Sequence, residues 1–327
     1  MSLRSIPRAK LRWQIPNLAK KVKEFIIPTL GRSLSLHRSQ SRQMKIFRYY
    51  ESKWGIDVLR TYRIRTSLPN DLNDPFELSP NIHLSQFDVS KIKGMLQRDD
   101  IIHNYFQHIG ATYGFSTFED FKKAWLAKDL EAFAKRRLPS IHQNVLAAKK
   151  EFADFFTQYW RIICTNTRNN SILMWSHYAK KHSGIVVEFD ILKPPFSEMP
   201  PDCIAPVDYS VNKADFVHHD RGEEFRRAQF LVAFRKASKW GYEKEVRILV
   251  PKAELPDGRT LQITPLSIKS VILGSRIDPK QKSRICALLL RSKFRHVTLK
   301  IAELHESKYT LRIKVVPRRQ VMEWASS

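Results

Sequence analysis

The chain lacks several features that would place it in a familiar class of protein. It has 3 cysteines, widely spaced, so neither a disulfide framework nor a cysteine-rich zinc site is indicated. No apolar run approaches the roughly 18 residues that a membrane helix requires. No glycine-rich dinucleotide fingerprint follows a predicted strand, and neither a phosphate-binding loop nor an internal repeat occurs. We therefore expect a soluble, cytoplasmic protein that is not a doubly wound nucleotide-binding fold.

Acidic residues are scarce as well. The sequence holds 57 Lys and Arg against 32 Asp and Glu, a formal net charge of +25. Such an excess attracts nucleic acid or another polyanion, although a solvated surface with a Lys and Arg bias gives the same balance. The 19 Phe, 10 Tyr and 7 Trp are the bulky anchors of a packed core. The composition therefore predicts a basic globular protein, with nucleic acid as a candidate partner.

The first 43 residues form a basic N-terminal arm with a single acid, Glu24. The arm lacks the apolar core of a signal peptide. Between Pro16 and Pro28 the pattern allows a helix with one apolar side beside lysines, which suits a membrane surface or a partner protein. A disordered tail and a transit peptide are the alternatives.

After the arm, the pattern predicts one α+β domain over residues 44–316, with a central mixed or antiparallel sheet, flanking helices and a C-terminal tail over 317–327. Residues 89–159 show helical periodicity and form a predicted insertion. Strands are predicted at residues 44–50, 62–66, 160–165, 185–189, 209–211, 242–250, 268–273, 297–304 and 309–316. Helices are predicted at residues 51–61, 171–183, 222–236 and 279–291.

The strand over residues 242–250 carries the candidate catalytic residues. Its alternation places Glu243 and Glu245 on one face, where each carboxylate raises the pKa of the other. Such a pair can stabilise an oxocarbenium ion, serve as acid and base, or bind a divalent cation. Alternatively, Arg247 and the abundant lysines form simple ion pairs with both glutamates.

Three segments carry a family resemblance. They are residues 46–50 with Asn73-Asp74-Pro75-Phe76-Glu77, residues 173–184 (LMWSHYAKKHSG), and Lys236 with residues 240–247 (WGYEKEVR). Their order and spacing resemble the bacterial family called domain of unknown function 2971. The resemblance implies no agreed activity. Similar proteins occur occasionally in phage-defence neighbourhoods, which is an association and not a mechanism.

A second resemblance concerns the candidate catalytic residues. An Arg on the first strand, a small polar cluster and a late Glu-x-Glu strand are similar to the arrangement of the ADP-ribosyltransferase superfamily. That resemblance implies NAD as the substrate, with Arg48 on its pyrophosphate, Ser176, His177 or Tyr178 beside its ribose, and Glu245 as the catalytic glutamate. Glu243 would then position the acceptor. Arg63 or Arg65 could replace Arg48, which could instead pair with Asp74 or Glu77.

The remaining residues leave alternatives open. Asn73 and Asp74 precede a proline and either cap a turn or contact a ligand beside the cleft. His177 and His182 lack further zinc ligands, so we expect no metal at this position. Two other functions compete with the transferase: a nuclease using Glu243, Glu245, Asp74 and Glu188 around Mg²⁺, and a non-catalytic module that binds nucleic acid.

Overall fold

The computed structural model describes residues 44–81, 88–215 and 230–326. The basic arm and its predicted amphipathic helix lie outside these residues. The strands are β1 Ile46–Tyr50, β2 Arg63–Arg65, β3 Trp160–Asn166, β4 Ile185–Phe189, β5 Ile204–Pro206, β6 Asp208–Ser210, β7 Arg235–Ala237, β8 Glu245–Pro251, β9 Thr260–Gln262, β10 Ile268–Leu273, β11 Thr298–Leu304 and β12 Leu311–Val315. The helices are α1 Ser52–Thr61, α2 Val89–Leu96, α3 Asp99–Ile109, α4 Phe118–Leu126, α5 Leu130–Tyr159, α6 Ile172–Tyr178, α7 Pro279–Leu289 and α8 Arg318–Ser326.

A central sheet of 8 strands organises the domain, in the order β12, β11, β10, β4, β1, β3, β8, β5. The β10 and β11 pair is parallel, whereas the other neighbouring pairs are antiparallel. Two ribbons, β2 with β9 and β6 with β7, lie beside it. The α+β prediction is confirmed, and the sheet is mixed.

Each face of the sheet is covered by helices. On what we call the α7 face, Ile46, Val187 and Val246 pack with the buried sides of α1 and α7. On the opposite face, called the α6 face, Phe47 and Val186 pack beneath α6. Because neighbouring strand residues point to opposite faces, this assignment fixes where every strand side chain points.

The predicted helical insertion is confirmed as α2 to α5. Phe121 and Trp125 are buried in it, and the Trp125 indole donates a hydrogen bond of 2.9 Å to the Leu96 carbonyl. Its core is continuous with the sheet through Ile162 of β3 and Leu249 of β8. The insertion is therefore part of the domain core on the α6 face.

Three predicted segments differ from the structure. Of the helix expected over residues 222–236, the part up to 229 lies outside the described residues, residues 230–233 are helical, and the end is strand β7. Residues 238–243 form a 3-10 turn, so β8 begins later than expected, at Glu245. The expected C-terminal tail forms α8, which packs on α7 through buried Val321. Among the described helices, none is both long and apolar enough to cross a bilayer.

Candidate functional site

The three segments that carry the family resemblance meet beneath α6. Five charged side chains converge there, which we call the charge cluster: Glu77, Lys236, Glu243, Glu245 and Arg247. None of these side chains is more than 4% exposed. Burying five charges is costly unless each is paired, so the pairing determines whether the cluster is stable.

Lys236 lies at the centre of the charge cluster. Its Nζ is 3.0 Å from Glu77 Oε1, 2.7 Å from Glu243 Oε2 and 3.4 Å from Glu245 Oε2. Burial alone lowers the pKa of Lys236, but the surrounding carboxylates outweigh it and raise this pKa above its ordinary value. Lys236 is therefore a fixed ammonium ion.

Arg247 completes the cluster from β8. Its Nε donates to Glu245 Oε1 at 2.8 Å, one terminal nitrogen contacts Glu77, and the other donates to the Ala233 carbonyl at 2.6 Å. This guanidinium is fully buried, and its planar fork bridges two carboxylates at once. The alternative that Arg247 and a lysine pair with the glutamates is thus what the structure contains.

The charges do not balance, since three carboxylates face two cations. Burial raises the pKa of Glu77 above its ordinary value, because Arg247 and Lys236 offset the lost hydration incompletely. Burial acts in the same direction on Glu245, but Arg247 and Lys236 outweigh it and lower its pKa. The pKa values of the two buried carboxyl groups are therefore shifted in opposite directions by the same two cations.

A chain of hydrogen bonds links the cluster to exposed residues. The Tyr178 hydroxyl donates to Glu243 Oε1 at 2.7 Å and accepts from Asn73 Nδ2 at 3.0 Å. Burial and the Glu243 carboxylate raise the pKa of Tyr178. Tyr178 is 38% exposed and Asn73 is exposed, so these two residues connect the buried network to the surface. We call this surface the Tyr178 site.

The turn before β8 aims both glutamates at the same lysine. Residues 238–243 form a 3-10 helix that ends at Lys244, whose φ of 48° is left-handed. The Asn166 amide donates to the Glu243 carbonyl at 2.7 Å, and the Glu245 amide donates to the Tyr209 hydroxyl at 2.8 Å. These bonds fix the turn, so the expected proximity of the two glutamates arises from a turn and not from strand alternation alone.

Helix α6 holds Tyr178 in place. The Ser171 side chain caps it by accepting from the Met174 amide, as the sequence predicts. Trp175 is fully buried, and its indole donates to the Asn169 carbonyl at 2.8 Å. A buried tryptophan on the inner side of this short helix therefore turns the last residue, Tyr178, toward the cluster.

Ser176 and His177 do not join the charge cluster. Ser176 Oγ lies 3.2 Å from His182 Nε2, and the two form a local pair beside Trp175. His177 is exposed, with its ring centroid 6.3 Å from that of Tyr178. His177 can therefore contact a ligand at the Tyr178 site, whereas Ser176 contacts the turn after α6.

Arg48 is not brought together with the glutamates. Phe47 and Tyr49 point to the α6 face, so the side chain of Arg48 between them points to the α7 face. There its guanidinium carbon lies 5.2 Å from the Tyr50 ring centroid. Val246 points to the α7 face, so its neighbour Glu245 points to the α6 face. The sheet therefore separates Glu245 from Arg48. The implied placement of Arg48 and Glu245 around one NAD is corrected here, because strand alternation places the two groups on opposite faces.

Asp74 serves the turn that carries Asn73. Its Oδ1 accepts a hydrogen bond of 2.9 Å from the Phe76 amide, which is the capping role expected before proline. Glu188 accepts bonds from Ser270 and Lys300 at 2.5 Å and 3.0 Å, outside the charge cluster. Both carboxylates are thus engaged in contacts of their own.

The structure does not support the magnesium site that the nuclease alternative requires. The Lys236 ammonium lies between Glu77, Glu243 and Glu245, where a divalent cation would bind. Among the described residues, no group of three or more His, Cys, Asp or Glu could hold a metal ion.

The segment with most of these residues has a family match. Residues 174–248 match the family described as protein of unknown function (DUF2971). This confirms the DUF2971 resemblance over that segment, which contains Tyr178, Lys236 and the residues from Glu243 to Arg247. No curated protein and no solved structure matches the chain. Asn73 and Glu77 complete the site from outside the DUF2971 segment.

Two contributors to the site were missed in the sequence. Asn166 lies between two threonines and Tyr209 between an aspartate and a serine, and no spacing links either of them to Glu243 or Glu245. Their hydrogen bonds span 77 and 36 residues of chain. Only strand pairing places them there, so no local signal could have identified them.

Proposed function

We propose that the Tyr178 site is the active site of an NAD-consuming transferase or glycohydrolase. The observation that carries this proposal is the hydrogen-bond chain from exposed Tyr178 through Glu243 to buried Lys236. Cleavage of the bond between nicotinamide and ribose develops positive charge on the sugar, which a nearby carboxylate stabilises. A carboxylate one hydrogen bond below the hydroxyl of an exposed tyrosine suits that task.

The roles then divide between the two glutamates. Nicotinamide departs with the bonding electron pair, and water or an acceptor hydroxyl attacks the ribose carbon. The attacking group gives its proton to the Tyr178 oxygen, and Tyr178 passes its own proton to Glu243. Glu245, which is paired with Arg247, is a positioning residue that holds Lys236 beside Glu243.

The pyrophosphate needs a cation other than Arg48. Lys244 is exposed and stands between the two glutamates in the chain, and its backbone carbonyl accepts a bond of 3.0 Å from the Thr167 amide. That bond fixes the backbone and leaves the ammonium free to reach solvent. We assign Lys244 the phosphate-binding role in this proposal.

The test is release of nicotinamide. Purified full-length chain is incubated with NAD, alone and with DNA, RNA or cell extract, and nicotinamide is measured by chromatography. Glu243→Gln and Tyr178→Phe are expected to lower the rate by about 10² or more, the usual effect of losing a general base. Tyr309→Phe is the matched control, since Tyr309 is fully exposed on the hairpin between β11 and β12.

Two results would contradict the proposal. One is the absence of release under all of these conditions. The other is release that persists in Glu243→Gln and Tyr178→Phe while both variants retain the melting temperature of the parent chain. Loss of release together with loss of folding would be resolved by Lys244→Gln, an exposed position at which folding is retained and release is expected to fall.

A further inference from the structure

A groove on the α7 face is lined by three arginines. Arg60 of α1, Arg284 of α7 and Arg291 just beyond it surround a volume of about 190 Å³, with Ile56, Ala287 and Leu288 completing the lining. We call it the arginine groove. It lies across the sheet from the charge cluster, because Ile56 and Leu288 belong to the core of the α7 face.

The groove follows from spacing along two helices. Lys53, Ile56 and Arg60 recur at helical spacing on α1, and Arg284, Leu288 and Arg291 do so along α7 and its end. The apolar members, Ile56 and Leu288, are 3% and 6% exposed where the two helices pack. Because Ile56 and Leu288 pack between the two helices, the arginines at helical spacing from them are placed along the rim of the groove.

The charge of the groove is mostly uncompensated. Asp57 accepts from Arg60 at 3.0 Å, an exposed pair that leaves the Arg60 side chain 59% exposed. Arg284 and Arg291 are exposed, and the ion pairs found among the described residues include neither of them. Three arginines around one recess offer donors to a phosphate group, which arginine binds through two parallel hydrogen bonds.

A second feature lies on the same helix, α1, six residues before Arg60. Trp54 is 47% exposed, with Lys53 Nζ 4.8 Å and the Arg65 guanidinium carbon 6.0 Å from its ring centroid. An exposed aromatic ring between cations is the usual platform for an unpaired nucleobase. A membrane surface would instead favour protruding aliphatic side chains, whereas the aliphatic residues here form the floor.

We infer that the arginine groove binds the phosphate backbone of a nucleic acid, with Trp54 stacking on a base of the same strand. Binding of this kind is carried by phosphate contacts and tolerates changes of sequence. The inference does not depend on the NAD-consuming proposal, because the two sites lie on opposite faces of the sheet.

The experiment measures binding of full-length chain to labelled single-stranded RNA and to a labelled DNA duplex by fluorescence anisotropy. The Arg284→Gln/Arg291→Gln double variant is expected to bind about tenfold more weakly. Its slope of log affinity against log salt is expected to fall by about 1.4 on RNA and about 1.8 on the duplex, for two lost phosphate contacts. Trp54→Ala is expected to weaken binding to RNA more than to duplex.

The matched control is Arg136→Gln/Arg312→Gln, which removes the same charge from exposed positions on α5 and β12. Ala287→Glu is a second test, since it adds an acid to an exposed position of the groove and keeps every arginine. It should weaken binding as strongly as the double variant. Both test variants are expected to melt at the temperature of the parent chain.

Three results would overturn the inference. The parent chain binds neither RNA nor DNA; the control variant loses as much affinity as the groove variant; or the parent binds vesicles containing phosphatidylglycerol through these arginines and shows no groove-dependent binding of nucleic acid. Each result would leave the nicotinamide assay unaffected.

Discussion

Glu245 illustrates how single side chains decide the character of the site. Its carboxylate is buried and is held by the Arg247 guanidinium at 2.8 Å, with Lys236 at 3.4 Å. Removing one partner from a buried ionic group is far more damaging than removing an exposed pair, because the other partner stays desolvated. The stability of the domain should therefore depend on the ionisation of this residue.

We predict that Glu245→Gln lowers the free energy of unfolding by about 2 kcal/mol at neutral pH, the scale of a buried hydrogen bond to a charged group. The folded pKa of Glu245 lies below its ordinary 4.5, so its contribution is present above that pH and is lost as pH falls through the folded pKa. The difference between parent and variant should shrink below pH 4.5. Urea unfolding at several pH values measures it.

Glu254→Gln is the control for this prediction, since Glu254 is exposed on the turn after β8. It should change stability little at any pH. An equal cost of Glu245→Gln at neutral and acid pH would contradict the interpretation, because the stabilisation would then not come from the ionised carboxylate.

At the scale of elements, the turn between α6 and β4 sets the position of Tyr178. Lys180, Lys181 and His182 all have left-handed φ values, between 45° and 70°. The Gly184 amide then returns to the Ala179 carbonyl at 2.8 Å. A side-chain carbon added at Gly184 would lie 2.1 Å from the Tyr50 carbonyl oxygen, so the backbone of β1 leaves no room for it.

We predict that Gly184→Ala destabilises the domain by roughly 3 kcal/mol, since the clash is with backbone and relief requires β1 and β4 to separate. Gly94→Ala is the matched control. Gly94 lies within α2 and has no atom within 4 Å of the added carbon, so alanine there should stabilise the helix by about 1 kcal/mol. Thermal melting followed by circular dichroism measures both, and equal effects of the two substitutions would contradict the prediction.

These elements also show how much of the fold could be predicted from the sequence. Alternation and turn residues were enough to predict β1, β4 and β10 as strands, and Ser171 as the cap of α6. The residues around Lys236 were predicted as the end of a helix because their apolar spacing is helical. In the structure Lys236 is instead part of strand β7, and the pairing of β7 with β6 outweighs the helical spacing. This pairing places the Lys236 ammonium among three carboxylates.

The whole molecule is dominated by its charge of +25. Repulsion between exposed cations opposes the compact state, whereas the charge cluster is buried and is screened little by salt. The two kinds of charge should therefore respond differently to ionic strength.

We predict that the melting temperature rises by roughly 3 °C between low and moderate sodium chloride concentrations, which corresponds to about 1 kcal/mol for a large domain. Glu245→Gln should show the same rise from a lower starting temperature, because its lost contacts are buried. Differential scanning calorimetry provides the measurement. A melting temperature that falls with salt would show that exposed ion pairs outweigh the repulsion.

The sequence by itself determined the α+β class and the helical insertion, since periodicity and turn chemistry are local properties. The grouping of Tyr178 with Glu243 and Glu245 came from a family resemblance. Tertiary structure alone decided that Arg48 faces away from that site and that Lys236 lies between the carboxylates. The first outcome depends on which sheet face each side chain occupies, and the second on the contact between Lys236 and Glu77 across more than 100 residues of chain. Strand pairing sets those contacts, and spacing along one segment does not encode it.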